Sequence, residues 1–191
     1  MKHTILLLEL TNQPRDVVVN ALTHYGYQVR SCKQASDIAS YLSSLSADFL
    51  IINANLPHPS LLKQINAALS KHALPTVMFT KSSDKSLTED AIQSGVNVLV
   101  VDGFATHRLK HLLDSAKAHF DQNQRLKSEI RKLKIQVADR KTIDKAKVIL
   151  MKRRAIDEVT AFGLIRKMAT DRNQNLAQVA ANIIDVDELL I

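Results

Sequence analysis

Lys141, Lys145 and Lys152 are separated by four and seven residues. On a helix turning about 100° per residue they fall within roughly 40° of one another. Arg140, Lys147 and Arg154 make a neighbouring stripe at seven-residue steps, and Arg166, Lys167 and Arg172 follow shortly after. Residues 125–172 carry 15 basic against 6 acidic side chains, whereas residues 1–104 hold 8 of each, so the whole formal excess of +7 comes from the later part. A row of cations on a helical scaffold neutralises a polyanion, and the phosphate backbone of a nucleic acid is the natural one. The same charges also suit an ordinary solvated helix surface. Other chemistry is poorly served. Cys32, the single cysteine, has no His or acid close by in sequence, and the four glycines form no phosphate-cradling loop. His107 and His111, four apart, suit one face of a metal site, but no third ligand is near them in the sequence. No catalytic residue, metal or cofactor is expected.

Three short helical patterns must position the cations. The first spans about Arg140 to Arg154, with Ile143, Ala146, Ile149 and Leu150 on its apolar side. Asp157 is a suitable cap for a second, striped by Ala161, Leu164, Ile165 and Met168. Asn175 caps a third, with Leu176, Val179, Ala180, Ile183 and Ile184 inward. Three apolar stripes predict a small bundle over 139–191. Ahead of it, Ala105 to about Arg140 contains no Gly or Pro. There Leu109, Leu112, Ala116, His119, Asn123, Leu126, Ile130, Leu133 and Val137 recur at steps of three and four. That heptad seam predicts a coiled-coil stalk over 105–138, and hence a dimer; a single amphipathic helix packed on its own domain is the alternative.

Residues 1–104 read differently. Ile5–Leu8, Phe49–Ile52, Thr76–Phe79 and Val98–Val101 are apolar runs too short for helices, and Tyr27–Ser31 is a weaker one. Helical patterns near Arg15–Tyr25, Ala35–Leu45, Leu61–Ser70 and Leu87–Ser94 alternate with them. Fivefold alternation predicts an α/β doubly wound sheet of five parallel strands, of flavodoxin-like type. Glu9 interrupts the first apolar run, no cleavage signature follows it, and no run has the length of a membrane span. A cytoplasmic protein without membrane association is expected, and one cysteine fits a reducing compartment.

This half resembles the receiver domain of response regulators. In that family acidic residues after the first strand and an aspartate ending the third bind Mg²⁺, and the aspartate accepts phosphate. The corresponding positions here are Glu9-Leu10, Asn53, Thr80 and Asp102-Gly103. A carboxamide is a poor nucleophile and a weak ligand for a hard dication. Asp102 stands where the family has a lysine and repels a phosphoryl group. Asn53 thus marks a degenerate phosphoacceptor position, and control by protein contact is expected in place of phosphorylation.

Residues from about 135 resemble the AmiR/NasR transcription antitermination regulator domain, ANTAR. The matching stretches are DRKTIDKAKVILM at 139–151, E-x-x-A-F-x-x-I-R-K at Glu158–Lys167, A-x-D-R-N at Ala169–Asn173, and Leu176 with Val179-Ala180. With VMFT at 77–80, VVDG at 100–103 and IIDVDELL near the end, the chain is similar to the nitrate-assimilation antiterminators of that family. The resemblance implies a dimer that binds RNA stem-loops of leader transcripts and stabilises an antiterminator. It also implies a nitrate-sensing protein that holds the regulator inactive. It adds Ala146 to the RNA-binding candidates Arg140, Lys141, Lys145, Lys147, Lys152, Arg154, Arg166, Lys167 and Arg172. The chain departs from the family at Val148 and at Ala155, where relatives usually have Gly. A DNA-binding response regulator is the alternative, although few base-reading side chains stand at the start of a candidate recognition helix. An adaptor built on the coiled coil, its basic face merely solvated, is a third reading.

Overall fold

Strands form where β-branched residues and Leu are buried on both faces of a sheet. In a computed structural model that describes residues 3–11, 15–81, 84–101 and 106–189, they are β1 (Thr4–Glu9), β2 (Gln28–Cys32), β3 (Phe49–Asn53), β4 (Thr76–Thr80) and β5 (Val98–Val101). All pair in parallel in the order β2-β1-β3-β4-β5. Every residue of β3 and β4 is buried. The expected doubly wound sheet is therefore present, with its order reversing between β1 and β3. Ligand sites of such sheets gather beyond the strand carboxyl ends at that reversal. The register sets Glu9 beside Asn53 there.

The helices are α1 (Arg15–His24), α2 (Ile38–Ser44), α3 (Pro59–Lys71), α4 (Lys85–Gln93), α5 (Leu109–Arg154), α6 (Glu158–Asp171) and α7 (Leu176–Leu189). Alternation along each strand splits the core in two. Leu6, Leu8, Leu50, Ile52 and Met78 meet Ile38 and Leu42 of α2, Leu62 and Ile65 of α3, and Ala91 of α4. Ile5, Leu7, Ile51, Val77 and Phe79 meet Val18 and Leu22 of α1 and Leu109, Leu113 and Ala116 of α5. This corrects the expected seam at its start. Leu109 and Ala116 are fully buried in the sheet's core, since a core stripe and a heptad share the same spacing.

A second correction concerns the segment near 140. The predicted stalk and the first helix of the bundle are one uninterrupted helix, α5, of 46 residues. No Gly or Pro stands at the expected junction to end it. The chain divides into two compact units, Met1–Gln124 and Arg125–Ile191. In the second, Ala146 of α5, Ile165 and Ala169 of α6, and Val179 and Ala180 of α7 form a buried core, flanked by Ile143, Leu150, Met168 and Ile183. Its small residues let helix backbones approach closely.

Helix ends in this unit are closed by side chains chosen for it. Asp157 caps α6, accepting a 2.8 Å hydrogen bond from the Thr160 N–H. Asn175 accepts from the Gln178 N–H at 2.8 Å, while the Gln178 side chain accepts from the Asn175 N–H at 3.2 Å, a reciprocal capping box for α7. Between the two helices Asn173 takes φ +50°, the Gln174 N–H reaches the Ala169 carbonyl and the Asn173 N–H that of Thr170. Asn tolerates this left-handed turn better than most residues. At the α5–α6 turn Ala155 adopts φ +53° without that help. Among the described residues no helix is long and apolar enough to cross a membrane.

Candidate nucleic-acid interface

The cations of the second unit separate into groups once the helices are packed. Ile143, Ala146 and Leu150 turn the inner side of α5 to the bundle core. Lys141, Lys145 and Lys152 lie roughly 100–180° around the axis from Ala146 and Leu150. All three are exposed. Val148 interrupts this outer lysine row and is itself exposed. Arg140, Arg154, Arg166, Lys167 and Arg172 are exposed too. Among the described residues, the ion pairs made by basic groups of this unit involve only Lys147 and Arg153. The other candidates keep their charge available for an external anion.

Two of the predicted contact residues are placed differently from the rest. Ala146 is fully buried between α6 and α7 and has no surface to offer. Lys147 is 16 % exposed, with Nζ 2.7 Å from Asp144 and 2.6 Å from Glu158. It ties α5 to the first turn of α6, and two carboxylates cancel its charge. Hydrogen bonds to Asp144 and then Glu158 raise the lysine pKa, and the same contact lowers that of Asp144. Spacing alone put Lys147 with Arg140 and Arg154; the partner from α6 reassigns it.

Arg154 and Arg172, far apart in sequence, meet at one open cavity together with Arg153. Sequence reasoning also passed over Phe162. It is the one aromatic residue in 125–191, yet it is 40 % exposed. Val159, more exposed still, and Arg166 share its side of α6 at steps of three and four. Exposed aromatics beside arginine suit stacking on unpaired bases. The signal was legible: Phe162 lies off the apolar stripe of Ala161, Leu164, Ile165 and Met168.

Asn53, expected to mark a degenerate phosphoacceptor position, has its side chain taken up by hydrogen bonds. Asn53 is buried and its Nδ2 donates to both carboxylate oxygens of Glu9, at 3.0 and 3.2 Å. The Thr11 hydroxyl also donates to Glu9. The Thr80 hydroxyl donates to the Asn55 carbonyl at 2.9 Å. Asp102 and Gly103 lie outside the described residues. These groups do not fit a bound divalent cation: the carboxylate pair it needs is reduced to one carboxylate, already satisfied by an amide. Cys32 is buried, and burial foremost, with the nearby Asp37 charge, pushes its thiol up to about 11. That removes it from nucleophilic chemistry at neutral pH.

Known proteins resemble parts of this chain and, in one case, nearly all of it. The family described as the ANTAR domain matches residues 131–184. A transcriptional regulatory protein, PdtaR, of Mycobacterium tuberculosis is 25 % identical over 138 residues, covering 72 % of this chain and 67 % of that one. A nitrate regulatory protein of Klebsiella oxytoca is 33 % identical over 88 residues, 46 % of this chain but 22 % of the relative. An aliphatic amidase regulator of Pseudomonas aeruginosa is 22 % identical over 180 residues, 94 % of this chain and 90 % of its own. Among solved structures the chemotaxis protein CheY4 of Vibrio cholerae aligns with a TM-score of 0.54 at 17 % identity, over 61 % of this chain and 99 % of that one. That likeness concerns the fold.

Proposed function

This chain belongs with the ANTAR-domain regulators, its ANTAR domain carried behind a receiver-type domain, and from that premise we infer that it is an RNA-binding transcription antiterminator. It grips stem-loops of leader transcripts and stabilises an antiterminator, so that polymerase reads through. The observation carrying this reading is the set of exposed cations on α5, on α6 and at its C-cap that make no ion pair among the described residues: Arg140, Lys141, Lys145, Lys152, Arg154, Arg166, Lys167 and Arg172. Phosphates supply the anions these groups lack within the chain. Similarity to a nitrate regulatory protein favours leaders of nitrate and nitrite assimilation genes, with a nitrate-sensing inhibitor as the controlling partner. Such a protein works in the cytoplasm on nascent transcripts.

Control by protein contact, independent of phosphoryl transfer, is supported by Asn53, whose amide is spent on Glu9. A homodimer is supported by Leu126, Ile130, Leu133 and Val137 along α5. Each is about half exposed, so the chain by itself leaves that seam uncovered. In this reading residues 1–104 receive the partner, the exposed seam from Leu126 to Val137 pairs the chains, and 139–191 hold RNA.

The test is single-round transcription of a nitrate-assimilation leader template with purified protein and no acetyl phosphate. Increased read-through, with leader-hairpin binding that weakens steeply as salt rises, is expected. Equal affinity for random duplex DNA shifts the assignment to a DNA-binding regulator; no polyanion binding in dilute buffer removes the nucleic-acid role.

A further inference from the structure

Within the second unit α5, α6 and α7 leave an open cavity of about 390 Å³, inside the range of small-ligand sites. Ile149, Leu150, Met168 and Ile183 give it apolar walls, and Arg153, Arg154 and Arg172 stand around it. Asn182 lines the space as well. Its one carboxylate, Asp187, is engaged by Arg153 Nε at 2.7 Å, which cancels the negative charge and fixes that guanidinium. Arg154 and Arg172 make no ion pair among the described residues.

A phosphate alone needs no apolar walls, and an apolar side chain from a protein needs no arginines. A nucleotide asks for both, with flat apolar faces on the base and an anion at its edge. A carboxamide adds what neither demands, a donor and an acceptor side by side, able to pair with one base edge. We propose that this cavity is the seat of one unpaired loop base of the bound RNA, an assignment that rests on the RNA-binding reading above. The base packs between Met168 and Ile183, Asn182 reads its edge, and Arg154 and Arg172 take the adjoining phosphates. The lysine row on α5 then supplies affinity, and the cavity supplies sequence preference.

The full-length protein is used to select RNA hairpins from a library with a fixed stem and a randomised loop. Wild type should enrich loops restricted to a single base at one position. Asn182→Leu should lose that preference by about tenfold while retaining overall hairpin affinity. Val186→Trp, which fills the cavity from an exposed position at its edge, should lose it too, with unchanged thermal melting and sedimentation. Hairpin binding whose base preference survives both substitutions overturns the pocket and leaves RNA binding standing. No hairpin binding by wild type overturns the RNA reading itself. A change of oligomeric state in Val186→Trp gives the cavity to a second copy of the chain, which also overturns the proposal.

Discussion

At Asn53 one atom type decides what the receiver fold can do. An amide nitrogen donates to Glu9 where a second carboxylate would repel it. Asn53→Asp should therefore lower stability at neutral pH by about 2 kcal/mol. The paired acids would hold one carboxyl above its unfolded pKa, so the deficit should grow as pH rises through the acid range and shrink as pH falls. Thermal melts of wild type and variant across that range check the sign. Two neighbouring lysines divide in the same way. Lys145→Gln should weaken RNA binding and leave the melting temperature alone. Lys147→Gln should lower the melting temperature, because it strands Asp144 and Glu158. Equal melting of the two variants sinks this division. The sequence displayed Asn53 and every cation. It hid their partners, since Glu9 meets Asn53 through a register spanning 44 positions and Glu158 meets Lys147 across a helix turn.

Elements were far more legible than pairings. The inner strands β1, β3 and β4 were announced by apolar runs, because a strand buried on both faces admits little else, whereas β2, with Gln28 and Arg30 exposed, gave a weaker signal. The caps Asp157 and Asn175 were visible for the same local reason. What the pattern could not separate was core from seam. Leu109 and Ala116 continue the spacing of Leu126 and Leu133, yet they pack beneath the sheet. Two predictions belong here. Hydrogen bonds from the Thr160 hydroxyl and then its N–H lower the Asp157 pKa. The folded pKa lies below the unfolded one, so this contribution is present above the ordinary carboxylate range and lost as pH falls through it. Asp157→Asn, an equally good cap, should melt like wild type at neutral pH and lose less stability on acidification. At the adjoining turn, Ala155→Gly relieves φ +53°. It should stabilise the bundle by about 0.5–1 kcal/mol after the entropy cost of glycine, measured by chemical denaturation.

For the molecule as a whole, charge is unevenly placed. The first unit keeps its acids and bases nearly in balance, while the second concentrates the basic excess. The half-exposed seam of α5 tests the assembly: Ile130→Lys with Leu133→Lys should halve the sedimenting mass and cut affinity for paired hairpins more than for a single one. An unchanged mass removes the coiled coil from the account. The cavity near Arg154 and Arg172 was beyond reach of any linear pattern, because three helices contribute its walls and only their packing brings the arginines together.

The hydrogen bonds between Asn53 and Glu9 carry a consequence for how such a protein is kept ready. A signalling domain that borrows a cation and a phosphoryl group depends on magnesium supply and on kinases and phosphatases to set it. Here the amide supplies its own counterweight to Glu9, so under the proposed control by protein contact the amino-terminal half needs no such supply, and timing falls to whichever partner lets go.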